Sequence, residues 1–204
     1  MSKKYDPNIH HRRSIRLSGY DYSEDGWYFV AICTQKRKYM FGKIVNEQMR
    51  LNSAGFMVKT WWQKVPNKFP SIQTDEYVVM PNHFHGIIAV GATLRGRPDP
   101  DVVDGKLAQT HNKLGQPYRI APTLGDIVNW FKTMTTNQYI HAVKQNGWPP
   151  FYGRLWQRNY YEHIIRNEDE LNHFRQYIAE NAANWQTDEE NPHATKGTMR
   201  AHAI

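Results

Sequence analysis

Tyr77-Val-Val-Met-Pro-Asn-His-Phe-His-Gly-Ile-Ile-Ala-Val90 reads as an apolar strand, a Pro-Asn break and a second strand that opens with two histidines one residue apart. Side chains alternate faces along a strand, so His83 and His85 share one face while Phe84 turns to the other. Two strand residues rise by roughly 6.5 Å, a span over which two imidazoles can lean onto one divalent metal. Histidines at strand ends also serve as hydrogen-bonded structural residues, and His-x-His alone does not separate the two readings. The surroundings favour a site. Pro81-Asn82 makes a tight turn, Gly86 follows at once, and the pair sits at the mouth of an apolar hairpin rather than in a solvated loop.

Outward from this hairpin, Trp27-Tyr-Phe-Val-Ala-Ile-Cys-Thr34 is rich in β-formers and predicts a buried strand. Gly42 to Leu51 predicts a small hairpin about Asn46-Glu47. Asn52 or Ser53 caps a helix running to about Val65, with Pro66 and Pro70 bracketing its exit. Ala54, Val58, Trp61, Trp62 and Val65 fall at helical spacing and form its inner face. Strands follow at about 72–80 and 83–90. Residues 91–122 then lose periodicity among many Gly and Pro, and so long a loop is either mobile or functional.

Thr123 with Asp126 caps a second helix at about 124–146, stopped by Gly147 and Pro149. Tyr160–Ile165 supplies a strand, and Asn167 with the acids of Asn167-Glu-Asp-Glu170 starts a last helix reaching about Trp185. The order strand, helix, strand, strand, helix, strand, helix predicts an α+β fold. It is a ferredoxin-like sandwich with an antiparallel-centred sheet, helices on one face and an extra C-terminal helix. The expected organisation is a basic N-terminal arm at 1–25, one catalytic domain at 26–186 and a polar C-terminal tail at 187–204.

The chain of 204 residues is long enough for one domain with a sizeable core, and its 26 basic against 19 acidic residues leave a net charge of +7. Such a balance favours polyanionic partners, nucleic acid above all. The charge is clustered at Arg12, Arg13 and Arg16, at Lys36-Arg37-Lys38, and at Arg95 and Arg97. A lone cysteine, Cys33, excludes an internal disulfide and suits a reducing compartment. With no apolar leader region and no run of 18 apolar residues, the sequence predicts a soluble, cytoplasmic protein with no membrane partner.

A metal on a basic protein points first to a phosphodiester substrate, because cations of both kinds favour phosphoryl oxygens. The nucleophile is then sought among twelve tyrosines. In the last helix Leu171, Phe174, Ile178, Ala182 and Trp185 make an apolar stripe. Tyr177 lies roughly 90° from its centre and Asn181 roughly 50°, on the same shoulder one turn apart. From there a phenol can reach a site on the sheet, and an amide oxygen can join a metal shell; an amphipathic packing role for Tyr177 stays open beside that. Asn159-Tyr-Tyr-Glu-His163 is a second cluster. There Tyr160 and Arg158 suit nucleic acid contact, and His163 is a third ligand, a general acid/base or a structural histidine.

Four segments carry a family resemblance: Val78-Val-Met-Pro-Asn-His-Phe-His-Gly-Ile-Ile88, Leu124-Gly-Asp-Ile-Val-Asn-Trp-Phe-Lys132, Trp156-Gln-Arg-Asn-Tyr-Tyr-Glu-His-Ile-Ile-Arg166 and Tyr177-Ile-Ala-Glu-Asn181. Over residues 12–185 the chain resembles the HUH-type single-tyrosine transposases, especially their REP-associated relatives. The resemblance implies that His83 and His85 are metal ligands, that Tyr177 is the nucleophile and that Asn181 can join the metal. It also implies a Mg²⁺ or Mn²⁺ requirement and single-stranded DNA substrates with hairpins, such as palindromic repeats, handled by a monomer or a homodimer. Relatives often continue the last motif as Asn-Pro, whereas Ala182 follows here.

The expected function is therefore a metal-dependent, transposase-like enzyme that nicks and rejoins DNA through a 5′-phosphotyrosine link and a free 3′-OH. Lys36, Arg37, Lys38, Arg158, Tyr160 and His163, with the arm residues, would hold the strand, and Tyr160 or Trp148 would stack on unpaired bases. The alternative is a non-catalytic structured-DNA-binding protein derived from a transposase. A hydrolytic or oxygen-using barrel enzyme fits less well, since 204 residues are few for a (β/α)₈ barrel and no carboxylate closely follows His85.

Overall fold

The four apolar segments read as strands pair into one sheet in the order β4-β5-β1-β8, every neighbouring pair antiparallel. These are β1 (Gly26–Cys33), β4 (Gln73–Val79), β5 (His83–Val90) and β8 (Tyr161–Ile165). The structure is a computed structural model that describes residues 26–91 and 122–194, together with the short paired strands β6 (Val102–Val103) and β7 (Lys106–Leu107). The expected arm at 1–25, with Arg12, Arg13 and Arg16, lies outside the described residues, as do Arg95 and Arg97.

Two helices cover one face of the sheet. α1 (Ser53–Gln63) starts where the Asn52 side chain accepts from the Gly55 N–H, and α3 (Leu124–Asn146) starts on the reciprocal Thr123/Asp126 capping box and ends on left-handed Gly147. Their apolar residues Met57, Val58, Trp62, Leu124, Val128 and Phe131 bury against Tyr28, Val30, Ile32, Phe84 and Ile88. The opposite face, carrying Phe29, Ala31 and Ile87, is covered by Leu171, Phe174 and Ile178 of α4 (Glu168–Glu180). β5 is buried along its whole length because both its faces are covered, which is why its sequence is apolar without alternation. The antiparallel α+β sandwich expected from the element order is the fold observed, with α4 as the helix that closes the second face.

Several local expectations take a different form in the structure. The 42–51 hairpin forms as β2 (Gly42–Val45) and β3 (Gln48–Leu51), turning on Asn46 and Glu47 at φ 50° and 60°, the mirror-image turn that matches strand twist. Pro66 sits in the first turn of a separate short helix, α2 (Val65–Lys68), where its missing N–H costs nothing. α4 stops at Glu180 instead of reaching Trp185, because Asn181-Ala-Ala-Asn184 offers the sheet no large apolar side chain. The chain turns there, and Trp185 packs at 6.0 Å from the His83 ring and 5.7 Å from Tyr39. Beyond it the stretch expected as tail folds back as far as residue 194. Asp188 and Asn191 are buried, Tyr39 Oη donates to Asn191 Oδ1 (2.7 Å), and Asn191 Nδ2 donates to the Trp185 carbonyl (2.9 Å).

Two features hold the faces in register. Gly86 leaves room for Trp62: a Cβ there would stand 2.6 Å from the indole and 2.9 Å from Phe84. A bulge in β4 between Thr74 and Tyr77 frees Asp75, which accepts from Arg175 Nε (3.1 Å) and Nη2 (2.6 Å) and so ties α4 to the sheet edge two residues before Tyr177.

Gly86→Ala is expected to destabilise the fold by about 1–3 kcal/mol in urea titration, since Trp62 is fully buried and has nowhere to move. Arg175 hydrogen bonds hold the Asp75 carboxyl below the usual carboxylate range. The clamp's contribution, about 0.5–1 kcal/mol for a partly exposed pair, is therefore fully present above that range and lost as pH falls through the depressed folded-state pKa. Asp75→Asn should lower the melting midpoint at neutral pH and leave it unchanged at the acid end of the same titration.

Candidate metal centre and nucleophile

The hairpin turn that presents the histidines is pinned by a buried amide. Asn82 Nδ2 donates to the carbonyls of Arg37 (3.2 Å) and Glu190 (2.6 Å), so its Oδ1 is free only to accept. His83 Nδ1, 2.9 Å from that oxygen, must carry the proton, which leaves a lone pair on Nε2. Nε2 faces Asn181 Oδ1 at 3.3 Å, and Asn181 keeps that orientation because its Nδ2 donates to Asp188 Oδ2 at 3.0 Å. Two lone pairs thus point at one small volume, an arrangement that a cation between them makes favourable.

His85 adds a second sign of the same kind. It is 3% exposed, and neither ring nitrogen has a hydrogen-bond partner, although an unsatisfied buried polar atom costs about 1–3 kcal/mol. Its ring stacks on Phe29 (5.2 Å) and meets His83 at 4.4 Å. Burial lowers the His83 pKa to about 4 and holds that of His85 well below the ordinary value, so both imidazoles are neutral and able to donate a lone pair. One donor atom each from His83, His85 and Asp188 lie within 4.8 Å of one another. With the Asn181 oxygen beside them, these two imidazoles, a carboxylate and a carbonyl are a donor set that suits a divalent cation.

Tyr177 borders this cluster from α4. Its half-buried ring stands edge-on to His85 at 5.3 Å and to Phe29 at 5.9 Å. Burial, then the charges of Asp188, Glu189 and Glu190, push the phenol above its ordinary range, and a hydrogen bond with Asn181 acts in the other direction. Cys33, opposite His83 in the β1–β5 register, is held protonated by burial and by Glu190, which keeps the thiol unreactive.

The other sequence-predicted residues lie apart from the cluster. His163 Nε2 donates to the Glu170 carboxylate (2.6 Å) and packs on Phe174, on the far side of Phe29 from His85, and it is not in the metal-competent group. Tyr160 and Trp148 are half-buried against the main core, whereas Tyr152 and Tyr161 are the exposed aromatics of this region. Arg158 is exposed, and its carbonyl accepts from Lys132 Nζ. Lys36 and Lys38 are exposed, while Arg37 is paired with Glu190 at 2.7 Å. Asp188 is the residue the sequence reading passed over. The one signal for it was Trp185, a large apolar side chain just ahead of the acidic run, whose burial brings Asp188 back over His83.

No family model matches this chain. A Haemophilus influenzae relative, itself an uncharacterized protein, is 39% identical over 194 residues, which span 93% of this chain and 98% of the relative. Among solved structures, a REP-associated tyrosine transposase bound to a REP hairpin is similar with a TM-score of 0.47 and 18% identity, over 83% of this chain and 74% of that one. A Deinococcus radiodurans protein described as a candidate transposase is similar with a TM-score of 0.41 and 16% identity, over 81% of this chain and 96% of its own. At those values neither structure decides what this chain does.

Mn²⁺ at about 100 times its Kd is expected to stabilise the protein by about 2.7 kcal/mol, raising the melting midpoint by roughly 5–10 °C in a domain of this size. His85→Leu should abolish that shift and raise the metal-free midpoint, because it removes two orphaned polar atoms while keeping apolar volume. A variant with a lower metal-free midpoint and an intact Mn²⁺ shift would show His85 to be structural only.

Proposed function

Since the chain belongs to the family of the Haemophilus influenzae protein, itself without a stated activity, we propose its function from the side chains it carries: metal-dependent, transposase-like nicking and rejoining of hairpin-bearing single-stranded DNA. The observation that supports this most is a phenol from α4 edge-on to neutral His85, which itself meets neutral His83 and has no hydrogen-bond partner among the described residues. His83, His85, Asp188 and Asn181 would hold the ion. Two imidazoles beside oxygen donors suit Mn²⁺ better than Mg²⁺, which prefers an all-oxygen, partly hydrated shell. When bound, the divalent ion supplies Lewis-acid stabilisation of charge on the scissile phosphate.

In this reading Tyr177 Oη attacks the phosphorus in line, forming a P–O bond to the enzyme while the bond to the 3′ oxygen breaks. The products are a 5′-phosphotyrosine and a free 3′-OH. Glu189 and Glu190, whose charges act on the phenol and which are not among the proposed ligands, are the candidate acceptors of its proton. The covalent link conserves the energy of the broken bond, so rejoining needs no nucleotide cofactor. Asn181 contacts both His83 and Asp188 and influences the Tyr177 phenol, so it would hold ion and nucleophile in one geometry. Lys36, Lys38 and Arg158 are exposed cations able to bind the strand's phosphates. A DNA substrate of this kind belongs in the cytoplasm. Among the described residues no helix is long and apolar enough to cross a membrane.

Labelled hairpin-bearing single strands incubated with the protein and Mn²⁺ should give an adduct that survives denaturing electrophoresis. Tyr177→Phe is expected to lower adduct yield at least about 100-fold while binding persists, the size of effect that loss of a covalent nucleophile produces. An adduct persisting in that variant would move the role to Tyr160 or Tyr161. Tight binding with no adduct from any hairpin would instead make the protein a structured-DNA-binding module.

A further inference from the structure

A second feature adjoins the turn whose Arg37 carbonyl accepts from Asn82. Between the Gln35–Met40 turn and the Phe151–Leu155 segment lies a cavity of about 210 Å³, walled by Phe151 and Leu155 and rimmed by Lys36, Lys38, Arg154 and Tyr152. Among the described residues no carboxylate lines it. Both walls have backbone that ordinary side chains avoid. Lys36 and Arg37 are left-handed, at φ 59° and 52°, and Gly153 is at φ 78°.

The strained turn is held from three directions. Gln35 N–H donates to the Leu155 carbonyl (2.8 Å), Arg37 N–H donates to the Thr34 carbonyl (3.0 Å), and the Arg37 carbonyl accepts from Asn82. Arg37, also exposed, is paired with Glu190, while Lys36 and Lys38 stand at the pocket rim. At the opposite wall the Arg154 N–H closes on the Tyr152 carbonyl at 3.1 Å, a tight turn about Gly153. Tyr152 is left 83% exposed, with Lys38 Nζ 5.8 Å from its ring centroid. A phenol ring so exposed contributes little to the fold, and three cations without an acidic partner among the described residues repel one another.

We propose that this pocket binds one unpaired nucleotide of a DNA strand, its base on the Tyr152 ring and its phosphate among Lys36, Lys38 and Arg154. The ligand class rests on the DNA reading above; the pocket itself rests on its own residues. A flat aromatic with a cation over one face and further cations on the pocket rim matches a base and its phosphate, and only an unstacked base can use the face that Lys38 leaves open. The volume lies below the roughly 300–1,000 Å³ of pockets for drug-sized ligands, room for part of one nucleotide with its base left on the exposed ring. Asn82 bonds the Arg37 carbonyl with one end of its amide and His83 with the other, so a nucleotide seated here is registered to the metal centre through one side chain. The pocket is thus a specificity-determining site, selecting which phosphodiester is presented to Tyr177.

The test uses a hairpin oligonucleotide carrying 5-iododeoxyuridine at one position at a time through its unpaired flank, irradiated with the full-length protein and mapped by mass spectrometry. One position should crosslink to Tyr152. An abasic residue at that position should weaken wild-type binding by about 5- to 100-fold, the range for loss of one stacked base. Tyr152→Ala should weaken binding to the same degree and show no further loss with the abasic strand. Crosslinks only at other residues, or a Tyr152→Ala variant that keeps both affinity and abasic sensitivity, would overturn the pocket while leaving Tyr177 adduct formation untouched. A position-specific Tyr152 crosslink in a protein that forms no adduct would uphold the pocket and overturn the nicking reaction instead.

Discussion

The buried amide of Asn82 is the joint on which the site depends. Its two N–H groups reach the Arg37 carbonyl on the turn after β1 and the Glu190 carbonyl near the end of the described chain, and its oxygen fixes the tautomer of His83. An amide has four hydrogen-bonding positions, and here three are taken, two of them by carbonyls 45 and 108 residues away in sequence. That saturation determines everything downstream. With its proton on Nδ1, His83 turns a lone pair toward Asn181, and the Asn181 amide is itself oriented by Asp188.

Burial gives this network its chemical character. Removing His83 and His85 from water keeps them neutral, as a metal ligand must be, and removing Tyr177 keeps its phenol protonated until a cation or base intervenes. The same burial strands the His85 nitrogens, so the fold tolerates a local cost that a bound ion would relieve. The surrounding structure is correspondingly rigid. Phe29 lies between His85 and Phe174, Arg175 ties α4 to the Asp75 bulge, and Trp185 closes over His83. Tyr177, the two histidines, Asn181 and Asp188 stand on β5, α4 and the chain beyond it, each locked by contacts outside the cluster.

Much of the architecture is legible in the chain because it follows from local pattern. The Asn52, Thr123 and Asn167 caps, the Gly147 stop, and the unbroken apolar run of β5 each act within a few residues of where they are written. The face shared by His83 and His85 follows from strand alternation, and the Tyr177–Asn181 shoulder from helical spacing. The end of α4 and the fate of residues 181–194 were not legible in this way. Trp185 kept the helical step of the stripe, yet its burial was achieved by a turn, and periodicity does not distinguish the two. Tyr160 and Trp148 look like exposed aromatics in sequence and are half-buried, while Tyr152 is exposed only because Gly153 turns the chain.

The sequence alone therefore carries the element order, the two histidines on one strand face and the tyrosine and asparagine one helical turn apart, because those relations span a few residues and obey fixed periods of two and 3.6. Tertiary structure supplies the rest: the choice of His83 tautomer by Asn82, the arrival of Asp188 beside both histidines, and the seating of Tyr177 against His85. The last two are contacts between groups about 90 to 105 residues apart, and Asn82 is itself oriented by carbonyls 45 and 108 residues away. They exist only once both sheet faces are covered and water is excluded, since it is the cost of leaving buried polar groups unpaired that selects one arrangement among the many the chain could make.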